Sequence, residues 1–173
     1  MAISLYEATV ESYEQTLGGV AGFLDRGLAH CQDQGVDPAE LVATRLFEDM
    51  APLSFQIASV WHHSIGAIEG AKTGLFGPPS MTMPADYPAL QKVVADARAA
   101  LAALKPEDVN ALAGGDVTFA FGEFKLPFTT ENFFLSFSLP NFYFHATTAY
   151  DILRSKGVPL GKRDFMGRPR LKG

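Results

Sequence analysis

Two stretches of 19 residues without a formal charge, Met50–Ile68 and Asn132–Tyr150, constrain this chain more than any other feature. Each is long enough for a buried helix. Neither reads as a membrane span, because both carry proline, histidine, serine and amide side chains. A chain that must hide two such segments needs other helices to cover them. At 173 residues it is long enough to do so within one domain, burying about two-thirds of its unfolded surface.

The covering helices are legible in the pattern around those segments. "SLYE" is a capping box in which Ser4 and Glu7 satisfy each other's amides. From there Tyr6, Val10, Tyr13, Leu17, Val20, Leu24, Leu28 and Cys31 recur at three- and four-residue steps, a core stripe ending before Gly35. Asp37 and Pro38 start a short helix through about Phe47. A second long helix runs from Pro52 to about Ala71, and "GLFGPPSMTMP" follows as a loop. The third spans about Asp86 to Leu104 and stops at Pro106. Val117, Phe119 and Phe121 then alternate, as do Phe124 and Leu126, which predicts a hairpin. Thr129 or Thr130 begins the fourth long helix, kinked or restarted at Pro140 and ended by Gly157. The expected fold is all-α, a four-helix bundle with a small β-hairpin between the third and fourth long helices. It forms one domain over 1–173, with 158–173 as an extended tail.

Charge narrows the partners. A net charge of −5 and a pI near 5.3 argue against nucleic acid, which calls for a basic face. Lys162, Arg163, Arg168, Arg170 and Lys172 form a short basic tail that reads as solvated, and in "GKRDF" Phe165 anchors the turn while Arg163 and Asp164 pair locally. The single cysteine, Cys31, suits a reducing compartment, and "MAISLYEATV" lacks the features of a signal peptide, so a cytoplasmic location is expected.

Three of the four histidines lie in the two uncharged segments: His62, His63 and His145. On a wheel of roughly 100° per residue, His62 falls beside Ala58 and Ile65, toward the interior. His63 falls next to Gln56 and Ser59, toward solvent or a partner chain. His145 sits at the edge of the last apolar face, between Asn141 and Ala149, where it can meet His62. As plain packing it would bond Asn141 or a backbone carbonyl. A catalytic metal takes three protein ligands and an open position. Adjacent histidines diverge by about 100° on a helix, so His145 and one of the pair supply two ligands, and Glu69 or Asp49 would have to supply the third. No glycine-rich phosphate loop and no G-x-S-x-G elbow is present, and nothing around Cys31 predicts an activated thiolate.

The run "NFYFHATTAYDILRSKGVPLGKRDFMG", with "RLFEDMAPLSFQIAS" upstream, resembles an uncharacterised bacterial family in the DinB/YfiT-like superfamily of metal-dependent enzymes, from the first helix to about Gly167. The resemblance implies a DinB-like four-helix bundle, commonly a homodimer. It also implies a divalent metal, such as zinc or nickel, held by one histidine of the second helix and two of the last helix spaced by four. His145 matches the first of that pair, the second falls on Ala149, and the remaining ligand falls at His62 or His63. Active members are thiol-dependent transferases and isomerases. Two functions are therefore expected. One is a degenerate metal-dependent enzyme with an incomplete ligand set of His62, His63 and His145. The other is a non-catalytic, dimeric binding or stress-associated protein that carries no cofactor and takes a small apolar or thiol ligand. Ten of the 14 phenylalanines fall between Phe119 and Phe165, enough to fill a core, line a pocket or cover a dimer face.

Overall fold

The computed structural model describes residues 3–172. The chain is mostly helical, with one small sheet. Ser4 and Glu7 form the capping box, with Glu7 N donating to Ser4 Oγ at 3.2 Å and Ser4 N donating to Glu7 Oε2 at 2.8 Å. One turn later Thr9 separates α1 (Leu5–Ala8) from α2 (Val10–Gln34), its hydroxyl bonding back to Leu5 O at 2.7 Å. Such back-bonding competes with the helical ladder. Gly35, at φ 66°, ends α2 in the left-handed region. Asp37 caps α3 (Pro38–Ala43), which stops a turn short of the expected Phe47.

The second long run is α4 (Leu53–Trp61), a π-helical turn π1 (His62–Gly66) and α5 (Ala67–Thr73). Beyond it come β1 (Leu75–Phe76), α6 (Tyr87–Ala102), α7 (Pro106–Asn110), β2 (Asp116–Phe121) and β3 (Phe124–Thr129). The last run is α8 (Thr130–Asn132), a second π-helical stretch π2 (Phe133–Ser138) and α9 (Leu139–Ser155), followed by α10 (Lys162–Met166). β2 pairs antiparallel with β3, and β1 pairs parallel with β2. β1 lies where a plain loop was expected. Gly70 explains its close approach: a Cβ there would stand 2.8 Å from the Phe76 ring. Pro127 lies in β3, an edge strand, where its missing amide breaks no inner ladder. The long runs pack as α2 on α6 and α9, and α4 on α6 and α9. Tyr13, Phe23, Phe133, Phe134 and Phe142 are the largest side chains enclosed between them, together with Tyr87.

The two π turns face each other and share one chain of hydrogen bonds. Ser138 Oγ donates to the His63 carbonyl at 2.7 Å, so its remaining contact, Tyr13 Oη at 2.9 Å, must be the donor to it. Local chemistry opens both turns. Ser64 Oγ bonds the Val60 and Trp61 carbonyls at 2.7 and 3.1 Å, competing with backbone donors in π1. Pro140 lacks the amide that the Ser136 carbonyl would receive in an α ladder, and a wider i→i+5 turn passes over it.

The tail expected to be extended contains α10 and docks along α2. Asp164 pairs with Arg26 at 2.7 Å rather than with Arg163, and also accepts from Gly161 N at 2.7 Å. Phe165 lies edge-on to Tyr150 at 5.9 Å, and Arg170 reaches Glu11. Gln15 Nε2 bonds Met166 O at 3.1 Å.

Breaking the shared chain tests the joint. Ser138→Ala removes the side-chain bond to the His63 carbonyl and leaves the Tyr13 hydroxyl buried without its partner, and is expected to cost about 1–3 kcal/mol in urea unfolding. Tyr13→Phe is expected to cost clearly less in the Ser138→Ala background than in the native chain, since it then removes an orphaned hydroxyl. Additive costs would show that the three groups do not act as one chain.

Candidate functional site

The three histidines of the uncharged segments come together where π1 faces α9. His63 lies against His145 with ring centroids 5.8 Å apart and planes 14° from parallel, and against His62 at 5.1 Å. The expectation that His63 faces solvent or a partner is corrected: His62 and His63 are both 8% exposed. His63 does share a face with Gln56 and Ser59, as the wheel places it, but that polar face is buried, with Gln56 2% and Ser59 1% exposed. The histidine meeting His145 is therefore His63, not His62.

Hydrogen-bond partners fix the tautomers of His145 and His62. Gln56 Nε2 donates to the Ala51 carbonyl at 2.9 Å, which leaves Gln56 Oε1 toward His145 Nδ1 at 2.7 Å. An amide oxygen only accepts, so His145 donates from Nδ1 and carries its lone pair on Nε2. His62 donates from Nε2 to the Gly77 carbonyl at 2.8 Å, leaving its lone pair on Nδ1. His63 Nδ1 is buried with no partner, as is Ser59 Oγ one turn before it. Aromatic rings wall the group: Phe76 stacks on His62 at 4.3 Å, Phe137 meets His63 at 6.0 Å, and Phe55 and Phe144 meet His145 at 5.9 and 5.2 Å. Asn141, the packing partner expected for His145, instead bonds the Phe137 carbonyl at 2.7 Å.

Burial disfavours the charged form of all three rings. It pushes His63 down to about 3, helped by His62 and His145, and His145 down to about 4, helped by His62. His62 is lowered by burial, with the Gly77 bond opposing the shift. The cluster is neutral near pH 7, with lone pairs uncommitted at His145 Nε2 and His62 Nδ1.

The donor set does not complete a three-ligand metal site. Four residues after His145 stands Ala149, wholly buried, and the Thr148 hydroxyl is spent on the Phe144 carbonyl at 2.8 Å. Glu69 pairs with Lys72 at 2.8 Å and is more than half exposed, and Asp49 lies on the exposed stretch between α3 and α4. Among the described residues, no group of three or more His, Cys, Asp or Glu side chains is arranged to hold a metal ion. Cys31 is buried and its thiol is pushed up by burial, away from thiolate chemistry. Residue types and spacing place Gln56 and Ser59 beside His63 and Tyr13 in the core stripe, but mark none of them, nor Ser138, as site residues. The available signal was that Gln56, Ser59 and His63 recur at three- and four-residue steps on an otherwise apolar helix.

The lowered histidines set a pH dependence. Their folded values lie below the ordinary 6.5, so between about 4 and 6.5 the unfolded chain binds more protons, and stability falls as pH drops through that window. Thermal unfolding followed by circular dichroism should show this loss. His63→Asn combined with His145→Gln should flatten that part of the profile relative to its own value at pH 7. An unchanged slope would contradict neutral burial.

No helix among the described residues is long and apolar enough to cross a membrane. In fold the chain is similar to a DinB family member protein from Shewanella denitrificans, with a TM-score of 0.79 and 26% sequence identity, over 98% of this chain and 95% of that one. Among curated proteins, none matches this sequence. Residues 5–166 match the domain of unknown function DUF1993, and with nearly the whole chain matched, the protein belongs to the DUF1993 family.

Proposed function

We propose that this chain is a non-catalytic, homodimeric binding member of its family. In this reading it is a single DinB-like four-helix bundle whose reduced histidine site takes a small apolar molecule bearing one hydrogen-bond donor, such as a thiol. The observation that carries the reading is the Gln56–His145 bond, which commits Nε2 of a neutral imidazole to accepting. Beside it His63 offers a second unpartnered nitrogen, and the aromatic walls favour an apolar body over a charged one. As a general base a ring held at about 4 is weak, which favours binding over proton abstraction.

The homodimer rests on surface chemistry. Leu135, Tyr143 and Phe144 are exposed on the π2–α9 run, within a segment that carries no formal charge. On a chain of net charge −5, an uncharged apolar face lets two like-charged copies approach without repulsion. A stress-associated role in the cytoplasm fits a dimeric binding protein of this kind.

A second reading, a degenerate zinc or nickel site of a thiol-transferase-like enzyme, is favoured by the same Gln56 bond. Metal-bound histidines usually donate their other N–H to an outer partner in this way. The missing third donor weighs against it.

Elemental mass spectrometry of untagged protein, purified without chelator, separates the two. The binding reading predicts no stoichiometric metal, and saturable binding of butanethiol that His145→Ala abolishes. About one equivalent of zinc or nickel per chain, lost in His145→Ala, would overturn it in favour of the metal site.

A further inference from the structure

A cleft of about 310 Å³ lies on the other side of His62, between the outer face of the π1–α5 run and the chain that doubles back after it. Its walls include Trp61, His62, Gly66, Glu69, Gly77 and Ser80. Gly66 keeps it open beside both rings: a Cβ there would sit 3.4 Å from His62 Nδ1 and 3.4 Å from the Trp61 ring, filling space without a clash. The His62 ring is more than nine-tenths buried and is clamped from two sides, by its Nε2–H bond to Gly77 O and by stacking on Phe76. Its Nδ1 lone pair is thereby turned toward Gly66 and makes no hydrogen bond to any described residue. That nitrogen opens into the cleft, where it can accept from a bound donor.

The other polar groups of the cleft share that bias. Glu69 stands three residues beyond Gly66 and brings a carboxylate whose partner is Lys72. Both members of that pair are exposed, and such pairs contribute only about 0–1 kcal/mol, so Glu69 is readily shared. The Thr73 hydroxyl points its proton at backbone carbonyls, Gly70 O among them at 3.1 Å. Trp61 adds an aromatic surface, which favours a cation held nearby.

We propose that this cleft is a binding site for a small organic ammonium ion. Its N–H donors meet His62 Nδ1 and the Glu69 carboxylate, and its alkyl part lies against Trp61. Burial keeps the His62 ring uncharged, so it does not repel the cation. The site is separate from the His63–His145 pair, and its failure would leave the reading of that pair untouched.

Butylammonium and its neutral counterpart 1-butanol are titrated into the full chain at pH 7.5. Binding is read by fluorescence of Trp61, the one tryptophan, and by ligand-observed NMR. Saturable binding of butylammonium, tighter than that of butanol, is expected in both readouts. Glu69→Gln should weaken butylammonium by about threefold to fivefold, the scale of an exposed ion pair, and leave butanol unmoved. Gly66→Leu should abolish both. Absence of saturable butylammonium binding in both readouts would overturn the proposal. So would equal weakening of the two ligands by Glu69→Gln, a surface change that does not threaten folding.

Discussion

The hydrogen bond from Ser138 to the His63 carbonyl is the interaction on which the rest of this structure depends. A carbonyl inside a regular helix is already engaged by its own ladder. The bond joins the two π-helical runs, from Ser138 at the end of π2 to the His63 carbonyl within π1. Tyr13 completes the chain from α2, so three long helical runs meet at one buried polar line. π-helical turns are poorer ladders than α-helices and recur at functional sites. Here the bond between helices supplies what each turn gives up within its own run.

Polar groups enclosed among phenylalanines would ordinarily destabilise a core of this kind. The chain limits the cost by fixing the protons of two of the three rings, His145 and His62. Ala51 orients Gln56, Gln56 orients His145, and Gly77 orients His62, each through a carbonyl that can only accept. What is left over is equally specific: His63 Nδ1 and Ser59 Oγ remain without partners. On the proposed reading, these two unpartnered polar atoms belong to the site that takes the ligand. Ala149, four residues after His145, offers no donor that would make the pair of imidazoles a three-histidine cage.

Much of the framework was legible in the sequence because it rests on local chemistry. The Ser4–Glu7 box, the Asp37 cap and Gly35 depend on residues within a turn of one another, and each lies where the pattern places it. The alternation around Val117 and Phe119 marked strand, but β1 was not visible. Two residues carry no period, and their pairing depends on space above Gly70 that only the folded chain defines. The same limit applied to the site. His62, His63 and His145 stood out by type and by their uncharged surroundings, whereas the burial of the polar Gln56–Ser59–His63 face depends on the packing of α9 against α4, which no single helix pattern shows. Arg26, far away in sequence, likewise took the role assigned to Arg163 in holding Asp164.

Nitrogen-15 NMR of the histidine rings at pH 7 tests the arrangement most directly, because it reports which ring nitrogen carries the proton. His145 is expected neutral and protonated at Nδ1, and His62 neutral and protonated at Nε2. A Ser138→Ala variant should disturb the His63 signals before those of His62. A charged His145, or one protonated at Nε2, would contradict the Gln56-held lone pair and with it the proposed use of the site.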